Sequence, residues 1–161
     1  MKKTDELLEK IYRRVVSLEP PVKKIGVACD DMEMNMMFLD LDHFKETNDK
    51  FGHLVGDVVL KETAAVLKDT LREIDIIGRY GGEEFSIVLT GIGRDGALQV
   101  AERIRQNVES AVFKAYDEVV STTVSIGISI FPDDGADTLN LIESADRALY
   151  RAKETGRNKV M

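Results

Sequence analysis

The segment Arg79-Tyr80-Gly81-Gly82-Glu83-Glu84-Phe85 sets two glycines directly before two carboxylates. Strand-forming residues flank it: Ile74, Ile76 and Ile77 before, Phe85, Ile87, Val88 and Leu89 after. The pattern predicts a tight hairpin, because only glycine takes positive φ without strain. A turn without side chains also lets a bulky group approach the backbone. Adjacent carboxylates beside it repel by about 4 kcal/mol at ~4 Å in an effective dielectric of ~20, and a cation would relieve that repulsion. A second acidic pair ends the apolar run Met36-Met37-Phe38-Leu39-Asp40-Leu41-Asp42. Spacing of two puts Asp40 and Asp42 on one face of an extended chain. A carboxylate at the end of a buried strand must be hydrated, paired or bound to a metal. Asp42 could instead cap a helix that follows. Asp40 with Glu83 makes a candidate metal pair. Oxygen ligands without a histidine cluster point to a hard ion, magnesium rather than zinc.

These residues need elements to hold them. Strands are expected near Met34–Leu41, Ile76–Tyr80, Glu84–Leu89 and Val119–Ile130. A short helix is expected near Phe44–Lys50 and a longer one from about Val55 to Leu71, where Leu60, Ala64, Leu67 and Leu71 repeat at the helical period. Ala97, Ala101, Ile104 and Val108 mark a third helix; Leu141, Ala145, Ala148 and Ala152 mark a fourth, after Pro132-Asp133-Asp134-Gly135. A further helix, Thr4 to Leu18, ends at Glu19-Pro20-Pro21 and carries Leu7, Leu8, Ile11, Val15 and Leu18 along one face. That face could dock a partner or pack on its own domain; the second suits so short a segment better. Helices alternating with strands, plus one hairpin, give an α/β sandwich around a central, mainly antiparallel sheet, with helices on both faces.

Composition sets outer bounds. The chain has 161 residues, enough for one domain with a real core. No apolar run approaches the ~20 residues of a membrane-spanning helix, and the polar start is not a signal peptide. A single cysteine, Cys29, excludes an internal disulfide and fits a reducing cytoplasm. A net charge of −7 argues against a nucleic-acid partner but permits a small polyanion where cations converge.

Further motifs accompany the hairpin: Phe44-Lys45-Glu46-Thr47-Asn48-Asp49, Gly52-His53-Leu54-Val55-Gly56-Asp57, Thr123-Val124-Ser125-Ile126-Gly127, and Ala145-Asp146-Arg147-Ala148-Leu149-Tyr150-Arg151-Ala152-Lys153 continuing to Gly156-Arg157-Asn158. In order and spacing, over roughly residues 34 to 160, they resemble the GGDEF family of diguanylate cyclases, in its GGEEF variant. The resemblance implies a palm-like βααββαβ core as in nucleotide cyclases, with residues 34–161 as the GGDEF domain and 1–33 as an N-terminal helix and leader. It implies condensation of two GTP into cyclic di-GMP with release of pyrophosphate, using magnesium (or manganese), across a homodimer. Asp40 and Glu83 then match the metal ligands, with the backbone carbonyl of Leu41. Glu84 matches a metal ligand or the base that takes the 3′-proton. Lys45, Lys153, Arg157 and the backbone N–H groups of His43 and Phe44 match the phosphate site. Asn48 and Asp57 match the guanine site, and family members making mixed dinucleotides resemble this motif with serine in place of Asp57.

Arg72 and Asp75 match the family's inhibitory product site, and Arg103 a position that completes it from a neighbouring subunit. Taken alone, Arg72 and Asp75 could simply be an intrahelical ion pair three residues apart. One departure stands out. The family's upstream Asp-x-Leu-Thr-x-Leu-x-Asn-Arg segment, which leads to a sensory domain, has no counterpart in residues 1 to 39. This bears on turnover more than on fold or binding. It leaves a second expectation: a catalytically silent domain that senses cyclic di-GMP or GTP.

Overall fold

A computed structural model of the chain describes residues 34–161. The expected Thr4–Leu18 helix and the leader to Glu33, Cys29 included, lie outside the described residues. Strand β1, Met34–Leu41, is buried at every position. That is why its centre, Met36–Leu39, is apolar at every position rather than alternating: both of its faces are covered. It lies between β3 (Glu84–Thr90) and β6 (Val124–Ile130), with β2 (Ile76–Arg79) outside β3, giving the order β2-β3-β1-β6. Every pairing in this sheet is antiparallel. The C-terminus adds a parallel bridge from Val160 to Ile126.

Helices α1 (Phe44–Phe51) and α2 (His53–Thr70) follow β1; α3 (Arg94–Ser110) follows β3, and α4 (Thr138–Glu154) follows β6. Met37, Leu39 and Leu41 share a core with Val59 and Leu67 of α2 and with Ala101, Ile104 and Val108 of α3. Met36 and Phe38, on the other side of β1, pack against Ala145 and Leu149 of α4. The result is the expected sandwich, with its mainly antiparallel sheet between helices.

Two expectations are corrected. The strand foreseen at Val119–Ile130 is broken into β5 (Glu118–Val120) and β6. Between them Thr123 donates its hydroxyl to the Asp42 carboxylate, and Thr122 donates to the Asp42 carbonyl. Side-chain bonding of this kind competes with the strand ladder. The partner of β5, β4 (Phe113–Ala115), was not foreseen. It is only three residues long, and its turn places Tyr116 at φ 56°, a conformation for which tyrosine carries no sequence signal.

Candidate active site

The carboxylates meet at the edge of the sheet where β1 ends and β3 and β6 begin. Asp40 faces Glu84 in register on one side and Ser125 on the other. It is 5% exposed, with the Lys153 ammonium 2.8 Å from its Oδ2. Burial raises the Asp40 pKa above its ordinary value, opposed by the hydrogen bond and charge of Lys153. Burial also raises Glu83, and the neighbouring charge of Asp40 raises it further. One lysine therefore does not neutralise this corner.

Hairpin β2–β3 closes through Tyr80 N–H and Gly81 N–H, which donate to the Glu84 carbonyl at 2.7 and 3.2 Å. The expectation of positive φ at its glycines is not met: the left-handed glycines among the described residues are Gly52, Gly91 and Gly156. Room is what the turn requires. A Cβ on Gly81 would lie 2.6 Å from Glu84 Oε2, and one on Gly82 would meet nothing within 4 Å. Arg79 fixes the loop, donating through Nε to the Gly81 carbonyl at 3.1 Å and through Nη2 to the Gly82 carbonyl at 2.6 Å. Sequence reasoning gave Arg79 no role; an arginine ending a strand carries little signal by itself. The Leu41 N–H donates to the Glu83 carbonyl at 3.3 Å, tying the hairpin to the end of β1.

The donor set fits a hard divalent ion. Among the described residues no three His, Cys, Asp or Glu side chains lie close enough to hold a metal unaided. Magnesium commonly takes one or two carboxylates and completes its shell with water and phosphate oxygens. Asp40, Glu83 and the Leu41 carbonyl are the residues that would hold it.

Lys153 and Arg157 both act on the Asp40 carboxylate through their charge. Lys153 is paired with Asp40, while Arg157 stays exposed. Lys45 is also exposed, on the first turn of α1. His43 is the N-cap of α1 at φ 58° and makes no side-chain cap, so no cap side chain covers the first N–H groups of the helix. Its imidazole is at the surface beside Glu46, at 2.6 Å. Asp42 does not cap α1 either; its carboxylate accepts from Thr123, Ser125 and the Asn158 N–H.

Asn48 and Asp57 lie on the consecutive helices α1 and α2. Helix α2 begins at His53, so Asp57 is in its second turn. Asn48 Oδ1 is buried with no hydrogen-bond partner among the described residues. Gly56 makes its position available: a Cβ there would overlap Asn48 Oδ1 and sit 3.2 Å from Phe44 Cζ. Gly56→Ala should therefore push the amide out of place. Such overpacking costs about 1–3 kcal/mol. The expected outcome is a lower melting temperature.

Arg72 and Asp75 form their ion pair outside any helix, in the turn between α2 and β2. Asp75 accepts from the Arg72 backbone N–H at 2.9 Å and from Nη2 at 2.7 Å, and Arg72 Nη2 also donates to the Thr90 carbonyl at 2.8 Å. Asp75 is almost wholly buried, whereas Arg72 remains open to solvent. Thr90 and Glu84 are opposite ends of β3, on the order of 20 Å apart at ~3.3 Å per residue. Arg103 reaches the same corner within the chain, donating to the Thr70 carbonyl at 3.1 Å.

An antiparallel sheet between helices, with paired carboxylates and converging cations at its edge, is the palm-like arrangement of the nucleotide cyclases. The model of the family described as "Diguanylate cyclase, GGDEF domain" matches residues 4–159, and the chain belongs to that family. Diguanylate cyclase A of Treponema denticola is 40% identical over 127 residues, covering 79% of this chain and 34% of that one. The chain spans about a third of the length of the curated relatives it matches. Among solved structures, the GGDEF domain of DgcB from Caulobacter crescentus in complex with c-di-GMP superposes with a TM-score of 0.75 at 34% identity, covering 81% of this chain and 77% of that one. The active GGEEF domain of a diguanylate cyclase from Vibrio cholerae gives a TM-score of 0.72 at 34% identity, covering 80% and 81%. Among the described residues no helix is long and apolar enough to cross a membrane.

Proposed function

We propose that this domain condenses two GTP molecules into cyclic di-GMP, releasing pyrophosphate, in a site completed by two subunits. The observation that carries the reading is the convergence of Asp40, Glu83 and Lys153 at one sheet edge. Bound magnesium, or manganese in its place, would neutralise charge on the triphosphate and lower the pKa of the attacking hydroxyl. The 3′-oxygen of one GTP bonds to the α-phosphorus of the other, the bond to the bridging oxygen breaks, and pyrophosphate leaves. Lys153 and Arg157, with Lys45 and the His43 and Phe44 N–H groups, hold the phosphates. Asn48 offers its unpaired carbonyl to the donors on the guanine edge, and Asp57 accepts from N1–H and the amino group. Adenine lacks that donor pair and would leave these groups unpaired, a penalty that can reach on the order of 10⁴ in selectivity. Glu84, whose side chain lies against Gly81, either takes the 3′-proton or joins the metal ligands in this reading.

One carboxylate pair and one guanine pocket per chain imply one GTP per subunit, so the active form is a homodimer. A GTP substrate places the domain in the cytoplasm, with a sensory domain expected in the parent protein. Incubation with GTP and magnesium, followed by chromatography of the nucleotides, tests this. Cyclic di-GMP forming at a specific activity that rises with protein concentration is the expected result. No product, with cyclic di-GMP binding retained, would leave the silent sensor domain as the function.

Feedback belongs to the same reading. Arg72 presents a planar fork that can bond two acceptors of phosphate or the guanine Hoogsteen edge. Arg72→Ala should weaken cyclic di-GMP binding by at least ~1.5 kcal/mol, the lower end for a charge-assisted hydrogen bond. Product inhibition should be relieved with the initial rate unchanged, since the pair stands at the far end of β3 from the carboxylates. Calorimetry showing unchanged product affinity would reduce the pair to a structural turn.

A further inference from the structure

The segment after α4 is held in an unusual backbone course. Gly156 lies at φ 114°, and the Arg157 N–H donates to the Ala152 carbonyl at 2.9 Å, a Schellman closure of the helix. Arg157 and Asn158 then both lie in the left-handed region, at φ 60° and 46°. Non-glycine residues keep such conformations only where their surroundings over-determine them. Asn158 supplies those surroundings. Its N–H donates to Asp42 Oδ2 at 3.0 Å, its Oδ1 accepts from Arg105 Nη1 at 2.7 Å, and its Nδ2 donates to Glu109 Oε1 at 2.7 Å. Both anchors are themselves fixed. Asp42 is 4% exposed and also accepts from Thr123 Oγ1 at 2.6 Å and Ser125 Oγ at 2.7 Å. Arg105 is clamped by Glu102 and Glu109.

We infer that Asp42 and Arg105, acting through Asn158, are positioning residues that fix the Arg157 backbone so that its guanidinium meets the nucleotide's phosphates. Asp42 thus serves phosphate binding from the interior, without belonging to the metal pair. The inference rests on the proposed reading of Arg157 as a triphosphate contact. A free loop at this point would leave Arg157, an exposed side chain with many rotamers, to be ordered by the substrate each time it binds. Holding its backbone beforehand removes part of that cost.

Asn158→Gly tests this, because glycine keeps the N–H bond to Asp42 and accepts the left-handed conformation while losing the links to Arg105 and Glu109. The probe is the α,β-methylene analogue of GTP with magnesium, which cannot release pyrophosphate, titrated by calorimetry. Asn158→Gly should weaken binding about tenfold, in the range for loss of an outer-shell support. In an Arg157→Ala background the same change should have no further effect, which a general loss of stability would not reproduce. Arg105→Met should behave like Asn158→Gly. Analogue affinity unchanged by Asn158→Gly, while Arg157→Ala weakens it, overturns the inference alone. Equal effects of Asn158→Gly with and without Arg157 also overturn it. Unchanged affinity in Arg157→Ala overturns both the inference and the assignment of Arg157 on which it rests.

Discussion

Glu83→Gln should abolish cyclic di-GMP formation while leaving the fold intact. The exchange keeps size and hydrogen-bonding capacity and removes only the charge. Loss of several kcal/mol of transition-state charge stabilisation corresponds to a fall in kcat on the order of 10³-fold or more, at ~1.4 kcal/mol per decade. Stability should move the other way. The Glu83 pKa is raised by burial and by the charge of Asp40, so the folded state binds protons more tightly than the unfolded chain. A carboxyl group with a raised folded pKa makes the protein less stable as pH rises through that range. Only below the ordinary glutamate value of 4.5, where the group is protonated in both states, should Glu83→Gln and the parent melt together. Towards neutral pH the variant should melt higher in the absence of metal, by a margin kept small because Glu83 is only half-buried. Magnesium with a GTP analogue should raise the melting temperature of the parent and not of the variant. Turnover of Glu83→Gln at the parent rate would remove Glu83 from the metal site.

The surplus negative charge is a cost to the fold unless a cation offsets it. Burial is the largest influence on Asp40, and Lys153 offsets it only in part. Replacing buried charge with neutral groups commonly stabilises a protein, so a strained carboxylate pair is evidence of use rather than of architecture. Within this reading, Lys153 stands in the resting domain where cationic charge is required. An incoming triphosphate would compete with Asp40 for its ammonium.

Much of this was legible from residue order because the sheet is regular. The apolar run before Asp40 announced strand β1, and helical periods located Ala97–Val108 and Leu141–Ala152 correctly. Asp40 and Glu83 were found because adjacent or alternate carboxylates beside strand ends are rare and costly. What escaped depended on partners distant in sequence. Asp42 was read as a helix cap or as a companion to Asp40, yet its partners are 81, 83 and 116 residues away. Arg72 and Asp75 were weighed as a helical pair, but Leu71 already leaves the helix in an extended conformation. The glycines at 81 and 82 suggested positive φ, whereas neither adopts it and Gly81 instead leaves space beside the Glu84 carboxylate. No local pattern separates these two uses of glycine.

Gly127 shows that second use with the largest consequence for stability. It lies in the middle of β6, where glycine normally weakens a strand. A Cβ at this position would overlap the backbone nitrogen of Leu149 and the carbonyl oxygen of Ala145, and would sit 2.8 Å from Leu149 Cα. These are main-chain atoms of α4, so no rotamer change can make room. The helix must retreat from the sheet, opening its contact with Met36 and Phe38. Overpacking that side chains can absorb costs about 1–3 kcal/mol, and Gly127→Ala should reach or exceed the upper end. For a domain of this size that is a fall in melting temperature of roughly 10 °C. Gly82→Ala, with nothing within 4 Å of the added atom, should leave melting nearly unchanged and serves as the control. The same retreat has a functional edge. Lys153 lies one turn beyond Leu149 on α4, and its ammonium is 2.8 Å from Asp40. A helix displaced by even an ångström breaks that approach and moves Lys153 and Arg157 together away from the proposed phosphate site. Gly127→Ala should therefore lose affinity for a GTP analogue even at temperatures where circular dichroism shows it fully folded. Native-like nucleotide affinity in a destabilised Gly127→Ala domain would show that α4 can rebuild the site without its close approach to β6.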